Sequence, residues 1–178
     1  LVAVALWETL AKYLPQEQLR IKWPNDIYFG DKKLVGILIE NSLVGQYVGY
    51  SIAGIGENVN QTEWQSDAPN PISMKQITGK NYDVEEVMEE WISSMKSWET
   101  RTTEAIKAMY MQHIYRGQGW HNYVEREVSM QPTSIAQKGT FGAFRAELVG
   151  ISEQGELILR KENNKEKTYH FKQIRFVI

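Results

Sequence analysis

The stretch that decides the fold runs from residue 19 to residue 40 and reads LRIKWPNDIYFGDKKLVGILIE. Apolar and polar residues alternate from Leu19 to Trp23, which predicts a short strand. Pro24-Asn25-Asp26 and Gly30-Asp31 have the composition of turns, so we expect a strand hairpin here. The continuous apolar run from Leu34 to Ile39 is typical of a strand that is buried on both faces.

Regular patterns continue on both sides of this stretch. Residues 1–14 have the apolar spacing of a helix, which Pro15 ends. Tyr47 to Ile55 predicts another strand, and residues 61–71 predict a polar loop long enough to be functional. Asp83 can cap a helix that we expect to continue as far as Tyr115.

The pattern of the sequence changes near residue 127. Short strand-like runs are separated there by glycine-containing or charged turns. This pattern predicts a small all-β unit at residues 127–178, after a larger unit at residues 1–126.

Composition excludes several classes of function. The 178 residues are 42% hydrophobic and 24% charged, which is ordinary for a globular protein. A formal net charge of -2 gives no basic field for nucleic-acid binding. The absence of cysteine excludes disulfides, cysteine-ligated zinc, iron–sulfur clusters and a thiol nucleophile. We expect neither a secretion signal nor a membrane span, since Glu8 and Lys12 interrupt the apolar opening.

Three motifs carry the residues suited to chemistry: Lys22 to Ile27 (KWPNDI), Lys33 to Glu40 (KLVGILIE) and Gly54 to Asn60 (GIGENVN). The Asn25 amide offers a donor and an acceptor that suit a base edge or a ribose, and Asp26 offers acceptors or a Mg²⁺ ligand. Taken in isolation, this motif favours the alternative, an Asx turn that closes a hairpin.

The other two motifs leave similar alternatives open. Lys33 is a surface lysine or a point charge for a carboxylate or phosphate in a cleft. Gly36 marks a bulge or a place where a ligand approaches the backbone. Gly54 and Gly56 follow a strand but lack the third glycine of a dinucleotide fingerprint, so that match is weak.

Taken together, the order and spacing of KWPND, K-x-x-G-I-L-x-E and G-I-G-x-N-V-N resemble the biotin–protein ligases (biotin–[acetyl-CoA-carboxylase] ligases). The resemblance implies an α+β fold, in which a mixed-sheet catalytic domain of class II synthetase type is packed with helices. Residues 1–126 would be the C-terminal portion of that domain, and residues 127–178 a small β-barrel of Src-homology-three type.

The resemblance also implies an ATP-dependent ligase. Such an enzyme activates biotin as biotinyl-5′-AMP with Mg²⁺ and transfers it to a lysine of a biotin carboxyl carrier domain. We expect a cytoplasmic protein with no membrane partner, and homodimers occur in the family. Some members of the family bind DNA through a helix-turn-helix, but this sequence shows no such motif and has a net charge of -2, so we expect no nucleic-acid partner. A lipoate-type ligase or a non-catalytic module that binds biotin or its adenylate are the alternatives.

The roles that the resemblance assigns fall on eight residues. They are Lys33 for catalysis and biotin; Gly36, Ile37, Gly54 and Gly56 for biotin; and Asn25, Asp26 and Asn58 for ATP and the adenylate, with Asp26 also for Mg²⁺. Loop 61–71 would order over the adenylate. The family's Gly/Arg-rich loop, GRGRxGR, has no counterpart in the sequence. The resemblance therefore implies a chain that lacks the N-terminal part of the catalytic domain.

Overall fold

The computed structural model describes residues 1–64, 70–126 and 140–178. The chain divides into two compact units, Leu1–Tyr115 and Arg116–Ile178. No helix within the described ranges combines the length and the apolar character needed to cross a lipid bilayer.

The first unit combines one sheet with four helices. Its elements are α1 (Val2–Leu10), β1 (Leu19–Lys22), β2 (Asp26–Phe29), β3 (Lys32–Val44), β4 (Tyr47–Glu57), α2 (Met74–Thr78), α3 (Val84–Glu99) and α4 (Thr103–Gln112). The strands follow one another in the sheet in chain order, and each neighbouring pair is antiparallel.

The mixed sheet that the resemblance implies is therefore not seen in the described residues. Short turns join each strand to the next, and such turns allow only antiparallel pairing. Parallel contacts occur at two isolated bridges, Ile21 with Ile114 and Lys33 with Pro71.

The core of this unit lies where α1 packs against the sheet and α3. Leu6 and Leu10 of α1 are almost completely buried, as are Leu19 and Ile27 of the sheet. The Trp7 indole N–H donates to the Leu19 carbonyl at 3.0 Å, which ties the helix to β1. The helix ends at Leu10, earlier than the predicted residue 14, and turns continue the chain to Pro15.

The prediction that Leu34 to Ile39 is buried on both faces is correct only for its first part. Leu34 and Val35 are fully buried, but Leu38 and Ile39 are 65% and 39% exposed. The β3–β4 hairpin continues past the core cluster, which on β3 reaches only as far as Ile37.

The predicted helix from Val84 to Tyr115 is two helices. The predicted cap is confirmed, since the Asp83 carboxylate accepts from the Glu85 backbone N–H at 2.8 Å. A second start follows, because the Thr102 hydroxyl accepts from the Ala105 backbone N–H at 3.2 Å and caps α4. A side chain that offers the backbone a cap favours a new helix start over continuation.

The second unit is a five-stranded antiparallel sheet. Its strands are β5 (Trp120–Arg126), β6 (Thr140–Ile151), β7 (Leu157–Lys161), β8 (Glu166–Tyr169) and β9 (Ile174–Phe176), in the order β8-β7-β6-β5-β9. The predicted boundary between residues 126 and 127 differs from this division. The strand β5 pairs with β6 and β9, which places it in the second unit.

A polar cluster on Glu125 links three strands of this second sheet. Its carboxylate accepts from Lys161 at 2.8 Å, Tyr169 at 2.6 Å and Lys167 at 3.3 Å. The hydrogen bonds from Lys161 and Tyr169 lower the pKa of Glu125 to about 2. The cluster therefore joins β5 to β7 and β8 through charge-assisted hydrogen bonds.

Candidate functional site

A β-bulge at the start of β3 sets the direction of Lys33. Val35 pairs with Ile27 and Lys33 pairs with Tyr28, which leaves Leu34 as an extra residue on β3. Bulges of this kind change the direction of a side chain and are common beside functional sites. The sequence signal for this bulge was weak, since only the glycine at position 36 suggested one.

The bulge brings Lys33 to Asp26, the last residue of the KWPND motif. The Lys33 ammonium lies 2.8 Å from the Asp26 Oδ2 atom, and the two side chains are 35% and 21% exposed. A pair with this much exposure adds little to stability. Its effect is to hold two predicted site residues together, one from each of two motifs.

The backbone of Lys33 is held on its other side by residues 70–72. Its N–H donates to the Asn70 carbonyl at 2.8 Å, and its carbonyl accepts from the Ile72 N–H at 3.0 Å. Sequence analysis placed Asn70 and Pro71 in the polar loop 61–71 and did not indicate this contact with Lys33. The predicted cover over the adenylate falls partly on residues 65–69, which lie outside the described residues.

The third motif reaches the same point through Asn58. Its side-chain amide donates to the Lys33 carbonyl at 3.3 Å, and its backbone N–H donates to the Leu34 carbonyl at 3.1 Å. The Asn58 carbonyl accepts from the N–H of Met74 at 3.0 Å. All three sequence motifs therefore meet at Lys33.

Three predicted glycines form an open surface beside this lysine. Gly36 pairs with Gly56 and Leu38 pairs with Gly54, so all four residues face the same side of the sheet. We call Gly36, Gly54 and Gly56 the glycine floor. A Cβ atom at Gly36 would lie 3.0 Å from Cε and 3.1 Å from Nζ of Lys33, so the lysine side chain lies across this end of the floor.

Ile37 contributes to this surface only through its backbone. It pairs with Ile55, is 8% exposed and belongs to the core cluster on the opposite face of the sheet. Of the residues predicted for biotin, Gly36, Gly54, Gly56 and Lys33 are therefore together on one face.

The turn that carries Asn25 and Asp26 is held from behind by α4. The Tyr110 hydroxyl donates to the Pro24 carbonyl at 3.0 Å. Burial raises the pKa of Tyr110, so its phenol keeps its proton and remains a donor. Sequence reasoning missed this residue, because nothing local to α4 indicates a contact with a turn so distant in the chain.

Glu57 is a second residue that sequence reasoning missed. It lies between Gly56 and Asn58, and burial raises the pKa of its carboxyl group to about 7. Its Oε1 atom is buried and has no hydrogen-bond partner among the described residues.

The carboxylates at this site do not form a metal-binding cage. In the part of the chain that the structure describes, no group of three or more histidine, aspartate or glutamate side chains could hold a metal ion. Asp26 stands alone as a carboxylate beside the ammonium of Lys33.

Part of the first unit matches a known family of ligases. Residues 1–58 match the model of the Biotin/lipoate A/B protein ligase family. This range contains Lys33 and all three residues of the glycine floor. The resemblance to biotin–protein ligases that the motifs indicate is confirmed.

Individual relatives agree with the family match. The chain is 28% identical over 161 residues to the bifunctional ligase/repressor BirA of Bacillus spizizenii, covering 85% of this chain and 45% of that protein. It is 29% identical over 166 residues to the biotin–[acetyl-CoA-carboxylase] ligase of Paracoccus denitrificans, covering 89% and 64% respectively. The chain thus spans about half to two thirds of the length of these relatives.

A solved structure confirms the α+β fold. The apo structure of biotin protein ligase from Aquifex aeolicus superposes with a TM-score of 0.69 at 24% identity, covering 99% of this chain and 72% of that one.

Proposed function

We propose that this chain acts as an ATP-dependent biotin–protein ligase, or as part of one. In the first step, the biotin carboxylate attacks the α-phosphorus of ATP, giving biotinyl-5′-AMP and releasing pyrophosphate. In the second step, a lysine amine of a biotin carboxyl carrier domain attacks the acyl carbon, forming an amide and releasing AMP. The observation that carries the proposal is the meeting of three motifs at the ammonium of Lys33.

The position of Lys33 suits the first step. The biotin carboxylate and the α-phosphate are both anions, so a cation between them lowers the cost of bringing them together. An ammonium group has three N–H donors, and Asp26 takes one of them. The other two remain for a carboxylate oxygen and a phosphate oxygen.

The glycine floor suits a flat, neutral ligand next to this cation. Glycines leave the backbone of β3 and β4 accessible, because no Cβ atoms stand between it and a bound molecule. Asp26 and Asn58 both bond to Lys33, and with Asn25, which precedes Asp26 in the chain, they would contact the adenylate from the Lys33 end. In this proposal Gly36, Gly54, Gly56 and the backbone of Ile37 line the biotin subsite.

The partly exposed carboxylate of Asp26 fits a Mg²⁺ ion that arrives with the nucleotide. Mg²⁺ is commonly held by one or two carboxylates together with substrate phosphates, and it neutralises charge on those phosphates. Asp26 is the residue that would hold it here.

The second unit and the partners belong to the same proposal. The antiparallel sheet of residues 120–178 is consistent with a small barrel of Src-homology-three type. We propose a carrier domain as the protein substrate, a cytoplasmic setting and self-association through the β3–β4 hairpin, whose apolar side chains are exposed.

The test is biotin-dependent release of pyrophosphate from Mg·ATP, together with calorimetric binding of a non-hydrolysable biotinyl-AMP analogue. Lys33→Ala should lower the rate by about 10²–10³-fold, the usual effect of losing one preorganised electrostatic group. Lys32→Ala is the matched control, because Lys32 is an exposed lysine next to Lys33 in the chain. This variant should leave the rate and the binding unchanged.

Each outcome decides something. Turnover with lipoate in place of biotin would keep the ligase class but overturn the substrate. Tight binding of the analogue without turnover would favour the non-catalytic binding module. Equal rates for the Lys33→Ala and Lys32→Ala variants would remove Lys33 from the mechanism.

A further inference from the structure

Glu57 lies under the site, on the opposite face of the sheet from the glycine floor. It is the last residue of β4 and pairs with Val35, which is fully buried. Side chains of cross-strand partners share a face, so the Glu57 carboxyl group points toward the core. Its neighbours in the chain, Gly56 and Asn58, belong to the floor and to the contacts on Lys33.

Nothing described near this carboxyl group compensates a negative charge. The Tyr13 phenol, after α1, lies close enough to Glu57 for its charge to raise the pKa of Tyr13. Burial contributes most to that rise, and Glu86 and Glu90 of α3 add to it, so Tyr13 keeps its proton and offers no positive charge. Lys12 is the cation in this set, and it forms an ion pair with Glu90.

An ionised Glu57 would therefore be a buried charge without a partner. The Oε1 atom is buried and unpaired among the described residues, and burial raises the pKa of the group to about 7. Leaving such a charge in place costs more free energy than moving the side chain toward water. Movement of Glu57 would displace the end of β4.

We propose that Glu57 is a positioning residue whose neutral, protonated carboxyl group keeps the end of β4 in place, and with it the bonds of Asn58 to β3. The role in ligand binding rests on the proposed function. When Glu57 loses its proton, the bond from the Asn58 N–H to the Leu34 carbonyl and the bond from its side chain to Lys33 weaken. The site then loosens as the pH rises through neutrality.

The sign of the effect on stability follows from proton linkage. The folded chain binds a proton at Glu57 up to a pH of about 7, whereas the ordinary pKa of 4.5 applies to this carboxyl group in the unfolded chain. The folded state therefore holds more protons between these values, and the free energy of unfolding falls as the pH rises across that window. Above it, the loss is complete.

The first measurement is urea unfolding of the whole chain between pH 5 and pH 8.5, spanning the value of about 7 given by burial. Wild type should lose stability across this range relative to Glu57→Gln, whose side chain cannot ionise. If the glutamine variant fails to fold, Glu57→Leu, which is also uncharged, provides the same comparison. Glu89→Gln, an exposed change on α3, should follow the wild-type profile.

The second measurement reports on the strand end without any ligand. Hydrogen-exchange protection of the Asn58 amide, corrected for the intrinsic rate, should fall about tenfold in wild type as Glu57 ionises. It should stay constant in Glu57→Gln. If the protection of the Asn58 amide and the free energy of unfolding depend on pH in the same way in wild type and in Glu57→Gln, the proposal is overturned.

A third measurement distinguishes a failure of this proposal from a failure of the proposed function. Affinity for the biotinyl-AMP analogue should fall about tenfold with rising pH in wild type and stay level in Glu57→Gln, a change of about 1.4 kcal/mol. If no protein binds the analogue at any pH while the exchange profiles differ as expected, the proposed function fails and the positioning of Asn58 by Glu57 stands.

Discussion

At the scale of single residues, the site depends on how closely the Lys33 side chain lies over Gly36. The space that a Cβ atom would occupy is 3.0–3.1 Å from Cε and Nζ of the lysine. Because the neighbour is the end of a flexible side chain, an added methyl group displaces the lysine and leaves the backbone in place. A substitution at Gly36 should therefore affect ligand binding more than the free energy of unfolding.

Gly36→Ala should weaken binding of the biotinyl-AMP analogue about tenfold or more, since a charge-assisted hydrogen bond is worth about 1.5–3 kcal/mol. Its urea midpoint should change little. Gly142→Ala is the control, because its Cβ atom meets open space in the second unit. Unchanged affinity in Gly36→Ala would mean that the ligand does not use the lysine in this position.

The sequence motifs also pointed to residues that lie together in the structure. The motif residues Asp26, Lys33 and Asn58 are separated in the chain, yet the structure brings them into one set of hydrogen bonds. Glu57 escaped prediction, because a glutamate in a strand gives no local sign of whether it faces solvent or core. That depends on its pairing with Val35.

At the scale of elements, α4 stabilises the turn that carries Asn25 and Asp26. Tyr110 reaches the Pro24 carbonyl, and the segment after the helix pairs with β1 through Ile21. A helix that makes no obvious contact with the glycine floor therefore holds one side of the site.

Tyr110→Phe should lower the free energy of unfolding by about 1–3 kcal/mol, because the Pro24 carbonyl loses its partner. Analogue binding should weaken as well, since Asp26 is carried by the same turn. Tyr47→Phe removes a hydroxyl from a side chain that is 80% exposed and should change neither quantity. A destabilised variant with full affinity would show that the turn needs no support from α4.

Local patterns predicted the elements more reliably than their limits. The strand starting at Leu19 and the cap at Asp83 follow from periodicity and side-chain chemistry, which are local. The break between α3 and α4 was missed although Thr102 offers a cap, because the apolar spacing continues across it. The bonds from residues 70–72 to Lys33 join distant segments, and no local pattern encodes them.

At the scale of the whole molecule, the β3–β4 hairpin exposes a large apolar surface. Its exposed residues are Leu38, Ile39, Leu43, Val44, Tyr47, Val48, Tyr50 and Ile52. Exposed apolar residues in such number favour association. The apolar run from Leu34 to Ile39 predicted a strand that is buried on both faces. Such a run does not reveal whether the same chain or another molecule covers it.

We expect the chain to self-associate as its concentration rises, which sedimentation velocity measures. Ile52→Lys should weaken association, because burying such a side chain contributes about 1.5–3 kcal/mol. Met88→Lys is the control, since Met88 on α3 is 51% exposed and Ile52 is 58% exposed. Equal association of the Ile52→Lys and Met88→Lys variants would show that the surface around Ile52 does not form the contact between copies.

The ion pair between Lys33 and Asp26 has a consequence for self-modification. An acyl adenylate reacts with amines, and in the proposed function Lys33 contacts the carboxylate from which one forms. The Lys33 nitrogen is held by a hydrogen bond to Asp26 at 2.8 Å, which it would have to give up in order to attack the acyl carbon. Asp26 would thus protect the enzyme from its own product, and intact-mass analysis after turnover should find biotin on the carrier and none on Lys33.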